Sequence, residues 1–397
     1  MLTGFFREIK PALTIQHNMK NLLYLLPILM LSCQPTTSDN QKSTFSEQPT
    51  TDLLVGTYTK KEGHVDGKAS GIYWLTRKEA TWQTQYTAEG IINPSFIALS
   101  PNEKYLYAVS ETGPEVDTTG YIYAYAVKDG TLQLLNRMPS FAFAPCFVSV
   151  HPSGKFIFVA NYVGGVIVGY PLAENGALLD QPQVIRLEGS GPHPRQEASH
   201  PHSAFVSPDG QYLLVPDLGT DKVMVYAIDQ QSGLMTAKGF ASVAPGSGPR
   251  HLAFSEGGQK VYVLNELSSS VTVFRFHADN GSMDSLATFS TLPTDFKGEN
   301  TCAHLEVSPN GQFLYASNRG HNSIVVFKID GDSLQALAHT PTQGRTPRHF
   351  TITTDGKQLL AANQDTETIA IFDIGTDGLL TLSDQIEVPT PVCLVSF

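Results

Sequence analysis

The chain of 397 residues is poor in charge, with only 16% Asp, Glu, Lys and Arg. Positive charge is the scarcer sign: 26 Lys and Arg stand against 37 Asp and Glu, for a formal net charge of −11. Such a surface cannot neutralise a phosphate backbone, so nucleic acid is excluded as a partner. A small anion can still bind, but only where arginines gather locally. Cysteine is scarce too, at 4 residues, and the spacings match no zinc pattern. Cys146, Cys302 and Cys393 are therefore expected to be buried free thiols, and neither a metal nor a cofactor is called for. Long apolar runs are missing. The run Leu22–Leu31 is too short for a comfortable membrane-spanning helix. Extended helical periodicity is missing as well.

What is present begins with a short leader. Met19-Lys20-Asn21 precedes that apolar run, which ends in Leu29-Met30-Leu31-Ser32-Cys33. A basic start, a short apolar centre and a small residue before cysteine read as an export signal. The ending resembles a bacterial lipoprotein signal, with Cys33 as the lipidated residue and Met19 as the start of translation. Residues 1–33 are thus expected to be a signal region, and 34–51, rich in Ser, Thr, Gln and Pro, a flexible tether. The implied location is the cell envelope, with membrane contact only through the lipid. Should the signal go unused, the location is the cytoplasm.

Glycine (33) and proline (25) are plentiful, and a single unit recurs about every 50 residues. Pro249–Glu266, PRHLAFSEGGQKVYVLNE, is the clearest copy: two strand-length apolar runs around a Glu-Gly-Gly-Gln turn. Other copies open at Pro94, Pro145, Pro201, Cys302 and Pro347, and a partial one at Pro391 stops at the C-terminus. Its missing partner strand is Asp52-LLVGTYT, near the other end. Further alternating strands follow each hairpin. Four strands per period of this length make a propeller blade. The fold expected is all-β: a seven-bladed propeller over residues 52–397, its last blade closed by N- and C-terminal strands.

In a propeller the first strand of each blade lines the central channel. The position after each opening residue holds Ser95, Cys146, His202, Arg250, Ala303 and Arg348. The ends of the second strands hold Glu111, Tyr162, Leu218, Glu266, Arg319 and Gln364. Antiparallel strands return to where they began, so both sets face one mouth. His202, Arg250, Arg348, Arg319, Glu266 and Glu111 are therefore expected to converge. Three arginines in an acidic protein form a local anion site, since guanidinium grips carboxylate or phosphate with two donors. His200, His251, His304 and His349 alternate with the ring positions and read as structural. The loop His193–His202 lies on the same side and is expected to cover part of the mouth. Asn161, Asn318 and Asn363 are read as turn-forming residues. A calcium site at the recurring Asn and Asp positions is the rival reading of those residues.

The motifs GSGPRHLAFS (246–255), VYVLNEL (261–267), SHPHSAFVSPDG (199–210), SNRGHNSI (317–324), GRTPRHF (344–350) and AANQDT (361–366) resemble those of a known family. It is the seven-bladed lactonases, which include the propeller-type 6-phosphogluconolactonase and a relative, carboxy-cis,cis-muconate cyclase. The resemblance spans 52–397. It implies a metal-independent carboxylic ester hydrolase that opens a sugar lactone, with His202, Arg250, Glu266 and Arg319 as its catalytic set. Arg348, His349, Gln364, His200 and Glu111 are added as candidates for binding a small anionic lactone. On this reading Glu266 is the general base, the arginines hold the oxyanion, and His202 protonates the leaving oxygen. An exported copy would meet little sugar phosphate, which opens the question of substrate. Two other functions suit the same residues: a cycloisomerase closing a lactone on an unsaturated diacid, and a non-catalytic surface propeller.

Overall fold

The computed structural model describes residues 52–397, apart from His64, Glu79 and Ala80. The export signal, the tether and the lipidated Cys33 expected within residues 1–51 lie outside the described residues. Seven four-stranded antiparallel sheets make up the ring, six of them with their strands in sequence order from the inside outward. The innermost strands are Ile97–Leu99, Pro145–Val150, Phe205–Val206, Pro249–Phe254, Thr301–Val307, Pro347–Ile352 and Pro391–Ser396. The last sheet is the closing blade: Pro391–Ser396 pairs with Asp52–Thr57, with Leu53 opposite Ser396 and Val55 opposite Leu394. Strands Gly71–Lys78 and Thr81–Glu89 complete it. Closure by both ends gives the C-terminal strand its partner and ties the last blade to the start of the ring. Among the described residues the only helical turns are Glu256–Gly258 and Gln364–Thr366.

The core lies between blades. The second strands read as unbroken apolar runs, such as YLLVPD and KVYVLN, because both faces are covered. One face of Phe156–Asn161 packs back on Tyr107, Val109 and Ile122, and the other packs forward on Leu213 and Val215. Blade contacts repeat in kind. An aromatic opening one second strand lies under the turn glycine of the next blade: Phe156 under Gly233, Tyr212 under Gly281, Phe313 under Gly378. Each of these glycines has φ between +74° and +80° and a ring where a Cβ would go, so no other residue fits. The recurring asparagines are blade ties. The side-chain amides of Asn161, Asn318 and Asn363 donate to the carbonyls of Ser140, Thr291 and Thr342, each just after the preceding blade's fourth strand. Their expected structural role is thus seen, although the link runs between blades as well as across a turn.

The innermost strands depart from plain alternation. Pairing slips between Pro145 and Phe147, Pro249 and His251, Cys302 and Leu305, and Pro347 and His349. A bulge of this kind turns two successive side chains to one side. The expectation that His251, His304 and His349 alternate away from the ring positions is therefore corrected: they line the channel directly beneath the arginines. With Phe96, Phe147 and Phe205 they form an aromatic belt. Its ring centroids lie 4.4 Å apart for Phe96–Phe147, 4.7 Å for Phe147–Phe205, 5.2 Å for His251–His304 and 3.9 Å for His304–His349. The belt separates the mouth from the far end of the channel.

Candidate functional site

Glu266 sits just past the strand Lys260–Asn265, with 2% of its surface exposed. Its backbone N–H donates to the carbonyl of Gly248 at 2.7 Å, which joins the two ends of the hairpin. Gly248 has φ +64°, and a Cβ there would strike Leu267 and Leu218. The hairpin thereby brings Arg250 against Glu266, with Nε 3.0 Å from Oε2. Neither Arg250 Nε nor Arg319 Nε has an aligned acceptor, so this contact is ionic rather than a directed hydrogen bond. Arg319, from the next blade's second strand, places Nη2 3.0 Å from Oε1 and donates to the Cys302 carbonyl.

A third arginine completes the cage. Arg195 Nη1 donates to Glu266 Oε1 at 2.7 Å, and Nη2 donates to the Tyr162 hydroxyl at 3.1 Å. It stands on the His193–His202 loop, which does reach over the mouth. The buried Gln196 pins that loop by donating to the Leu218 carbonyl and to Asp221. Asp217 holds its other end through Ser199 and the His200 amide. Sequence reasoning singled out the loop but not Arg195, because a residue outside the repeat carries no periodic signal. Tyr162 is at a second-strand end, where the period did point.

His202 is buried, with Nδ1 3.7 Å from the Cys146 thiol. Its ring meets Tyr162 edge-on at 5.4 Å and His251 at 5.4 Å. Arg348 is 9% exposed, and its guanidinium lies 5.3 Å over the Tyr58 ring. It enters no ion pair or side-chain hydrogen bond among the described residues, unlike Arg195, Arg250 and Arg319. Glu111 accepts from the Tyr58 hydroxyl at 2.9 Å and from Ser95. Ser95, Glu111, Cys146, Arg250, Arg348 and His349 line a small pocket below the mouth. Above it are two depressions. One is lined by Arg195, Arg319, Asn300 and Thr346, and the other, smaller, by Tyr58, Glu111 and Tyr162.

The remaining candidates stand further back. Both ring nitrogens of His200 face protein oxygens, the Tyr162 carbonyl at 2.9 Å and Glu197 at 3.0 Å, so none is left for a ligand. His349 belongs to the belt and accepts the Leu394 N–H at 3.3 Å. Gln364 is buried, donates to Asp365 and keeps a side-chain oxygen without a partner. The three cysteines are free and buried, as expected. Among the described residues no three His, Cys, Asp or Glu side chains cluster as a metal site would need.

Charge governs this mouth. Burial pushes the Glu266 carboxyl up, but Arg319, Arg250 and Arg195 together outweigh it and hold it well below the usual carboxylate range. Burial, then repulsion from Arg319, disfavours the charged form of Arg250, and Glu266 opposes them. Burial, then the Arg250 charge, keeps His202 well below the ordinary imidazole value, so it is neutral at neutral pH. Four guanidiniums thus face two carboxylates, the buried Glu266 and the half-buried Glu111, which leaves the mouth with a surplus of positive charge.

The family model described as "Lactonase, 7-bladed beta-propeller" matches residues 52–396. The 6-phosphogluconolactonase of Bacillus subtilis is 34% identical over 301 residues, covering 74% of this chain and 82% of that protein. A protein of the same name from Formosa agariphila is 34% identical over 306 residues, covering 75% and 84%. The solved structure of a periplasmic gluconolactonase from Pseudomonas aeruginosa superposes with a TM-score of 0.79 at 32% identity, covering 87% of this chain and 99% of that one. The chain therefore belongs to the seven-bladed β-propeller lactonases, enzymes that hydrolyse a carboxylic ester closed into a ring.

Proposed function

We propose that the channel mouth hydrolyses an anionic sugar lactone, and that Arg348 receives the substrate's anionic group. The observation carrying this reading is the charge imbalance: a buried guanidinium that enters no ion pair, facing Tyr58 and Glu111, at a mouth where three other arginines share Glu266. A carboxylate or phosphate placed against Arg348 supplies the missing charge, and the Tyr58 ring fixes the guanidinium plane. The relatives named above act on gluconolactones, which supports a sugar lactone as the ring opened here.

The chemistry follows from the same charges. Held by three cations that stabilise its ionised form, Glu266 is a weak base. Arg195 is the partner able to leave: its side chain is 44% exposed, against 3% for Arg250 and 14% for Arg319. Drawn to an incoming anion, it releases Glu266, whose proton affinity then rises toward the useful range. Glu266 takes a proton from water as the water oxygen bonds to the lactone carbonyl carbon. Arg319 and Arg250 hold the resulting oxyanion. The bond from that carbon to the ring oxygen then breaks, and the ring oxygen leaves with the proton Glu266 collected. The products are an alcohol and a carboxylic acid. His202 is assigned differently from the sequence reading: neutral and buried, it is no standing acid and serves to orient the attacking water.

The export signal and lipid anchor at Cys33 remain part of this proposal, supported by the leader's pattern and by the periplasmic neighbour. An envelope enzyme would meet carboxylate-bearing or neutral sugar lactones more than sugar phosphates. The test is acid release by the purified protein on 6-phosphogluconolactone, a uronate-type lactone and unsubstituted gluconolactone. The anionic rings are expected to give the higher kcat/KM, with products heavier by one water. Equal rates on all three would remove Arg348 from the site, and a product of unchanged mass would mean cycloisomerisation.

A further inference from the structure

The channel holds a line of hydrogen bonds that the proposed reaction does not use. Arg250 Nη1 lies 3.1 Å from His251 Nε2. His251 Nδ1 lies 2.9 Å from His304 Nδ1. His304 Nε2 lies 3.2 Å from Glu306 Oε1, and the Ile352 N–H donates to Glu306 Oε2 at 3.0 Å. The line leaves the mouth at Arg250, crosses the aromatic belt, and ends on a carboxylate whose side chain is 27% exposed, deep on the strand Thr301–Val307.

Both ends of the line are donors only, a guanidinium and a backbone N–H. That decides every proton between them. His251 must accept at Nε2, so a neutral ring carries its proton on Nδ1 and donates to His304. His304 must then accept at Nδ1 and donate from Nε2 to Glu306. Glu306 receives a hydrogen bond on each oxygen, as an ionised carboxylate does. Both rings are held neutral: burial, then the Arg250 charge, lowers His251 and His304 far below the ordinary imidazole value. Burial pushes the Glu306 carboxyl up, to about 8, against the Ile352 N–H, so the line as drawn belongs to the ionised form that prevails above that pH.

We propose that Glu306 is a positioning residue for Arg250, acting through fixed tautomers of His304 and His251. The acceptor it provides at the far end makes His251 an acceptor at the near end. That acceptor and the Ala303 carbonyl aim the guanidinium whose Nε faces Glu266. A side chain of Glu's shape with a donor in place of one oxygen reverses the line. In Glu306→Gln the amide oxygen must serve the Ile352 N–H, because a backbone donor cannot change. The amide NH₂ then faces His304 Nε2, and both imidazoles switch tautomer. His251 now presents N–H to Arg250, and the guanidinium is pushed from its place.

This inference rests on Arg250 acting in lactone opening, and the test has one arm that does not. With ¹⁵N-histidine labelling and assignment by single substitutions, imidazole nitrogen shifts of the substrate-free protein, recorded above pH 8 where Glu306 is ionised, report each tautomer. The expected wild-type pattern is Nδ1–H for His251 and Nε2–H for His304, reversed in Glu306→Gln and restored in Glu306→Asp. The kinetic arm, run at the same pH, expects Glu306→Gln to lower kcat about 10–100-fold, the scale of a misplaced catalytic group, with KM changed far less and Glu306→Asp recovering most of the loss. Opposite tautomers in the wild type overturn the proposal, as does a Glu306→Gln variant with wild-type tautomers or wild-type kcat. A wild type inert on every lactone defeats the hydrolytic reading instead, and the tautomer arm still decides this one.

Discussion

Replacing Glu266 with Gln keeps the side chain's shape and removes the charge that three arginines share. Two of those arginines, Arg250 and Arg319, have little access to water, with side chains 3% and 14% exposed. Breaking a buried ion pair from one side costs about 3–5 kcal/mol, because the remaining charges have no solvent to turn to. The half-exposed Arg195 adds no more than about 1 kcal/mol. At about 2 °C per kcal/mol for a large domain, Glu266→Gln should melt about 6–12 °C below wild type at pH 7. The pH dependence follows from the direction of the shift. Folded Glu266 is held well below the usual range, while in the unfolded chain it titrates near about 4.3. As pH falls below about 5 the unfolded chain takes up a proton that the folded chain refuses. The wild type therefore loses its advantage toward acid, and the two melting curves approach each other. Calorimetry at pH 7 and pH 3 measures both points. If Glu266 is the general base, turnover also falls about 10²–10⁴-fold. Equal melting temperatures at pH 7, or a gap that does not narrow in acid, would refute the claim that this carboxylate holds the arginines together.

Three further outcomes test the rest of the mouth. Arg348→Met should raise KM for an anionic lactone about 10–100-fold and leave a neutral lactone nearly unaffected, as loss of a charge-assisted hydrogen bond predicts; steady-state kinetics on the pair decides it. Arg195→Ala should change stability by less than about 1 kcal/mol, since its side chain is 44% exposed, and raise KM for the anionic substrate about tenfold; an unchanged KM would remove Arg195 from substrate binding. Burial beside Arg250 keeps His202, His251 and His349 far below the usual imidazole value, so their resonances should not titrate between pH 8 and pH 5. Because unfolded histidines charge below about 6.5, these three also make the fold lose stability as pH drops through that value.

The propeller was legible because its signals are local and repeated. Strand alternation, the Ser-Pro-Asp-Gly type of turn and the recurring second-strand runs are properties of a few neighbouring residues. Six and a half copies of such a unit admit one closed ring, and Asp52–Thr57 is the segment that completes it. The meeting of Arg250, Glu266 and Arg319 followed from the same period, since each sits at a corresponding end of a hairpin. Three features were beyond that reasoning. Arg195 comes from a loop whose path is set by the burial of Gln196 and Asp221, contacts that no period encodes. His251, His304 and His349 turn into the channel through bulges, and a bulge depends on how two strands fit one another. The proton affinities of Glu266, His202 and Glu306 depend on how many charges and how little water surround them. Sequence alone therefore determined the ring and the residues at its mouth. Only the packed structure decided which of them touch, because burial and hydrogen-bond direction exist only once distant segments share one space.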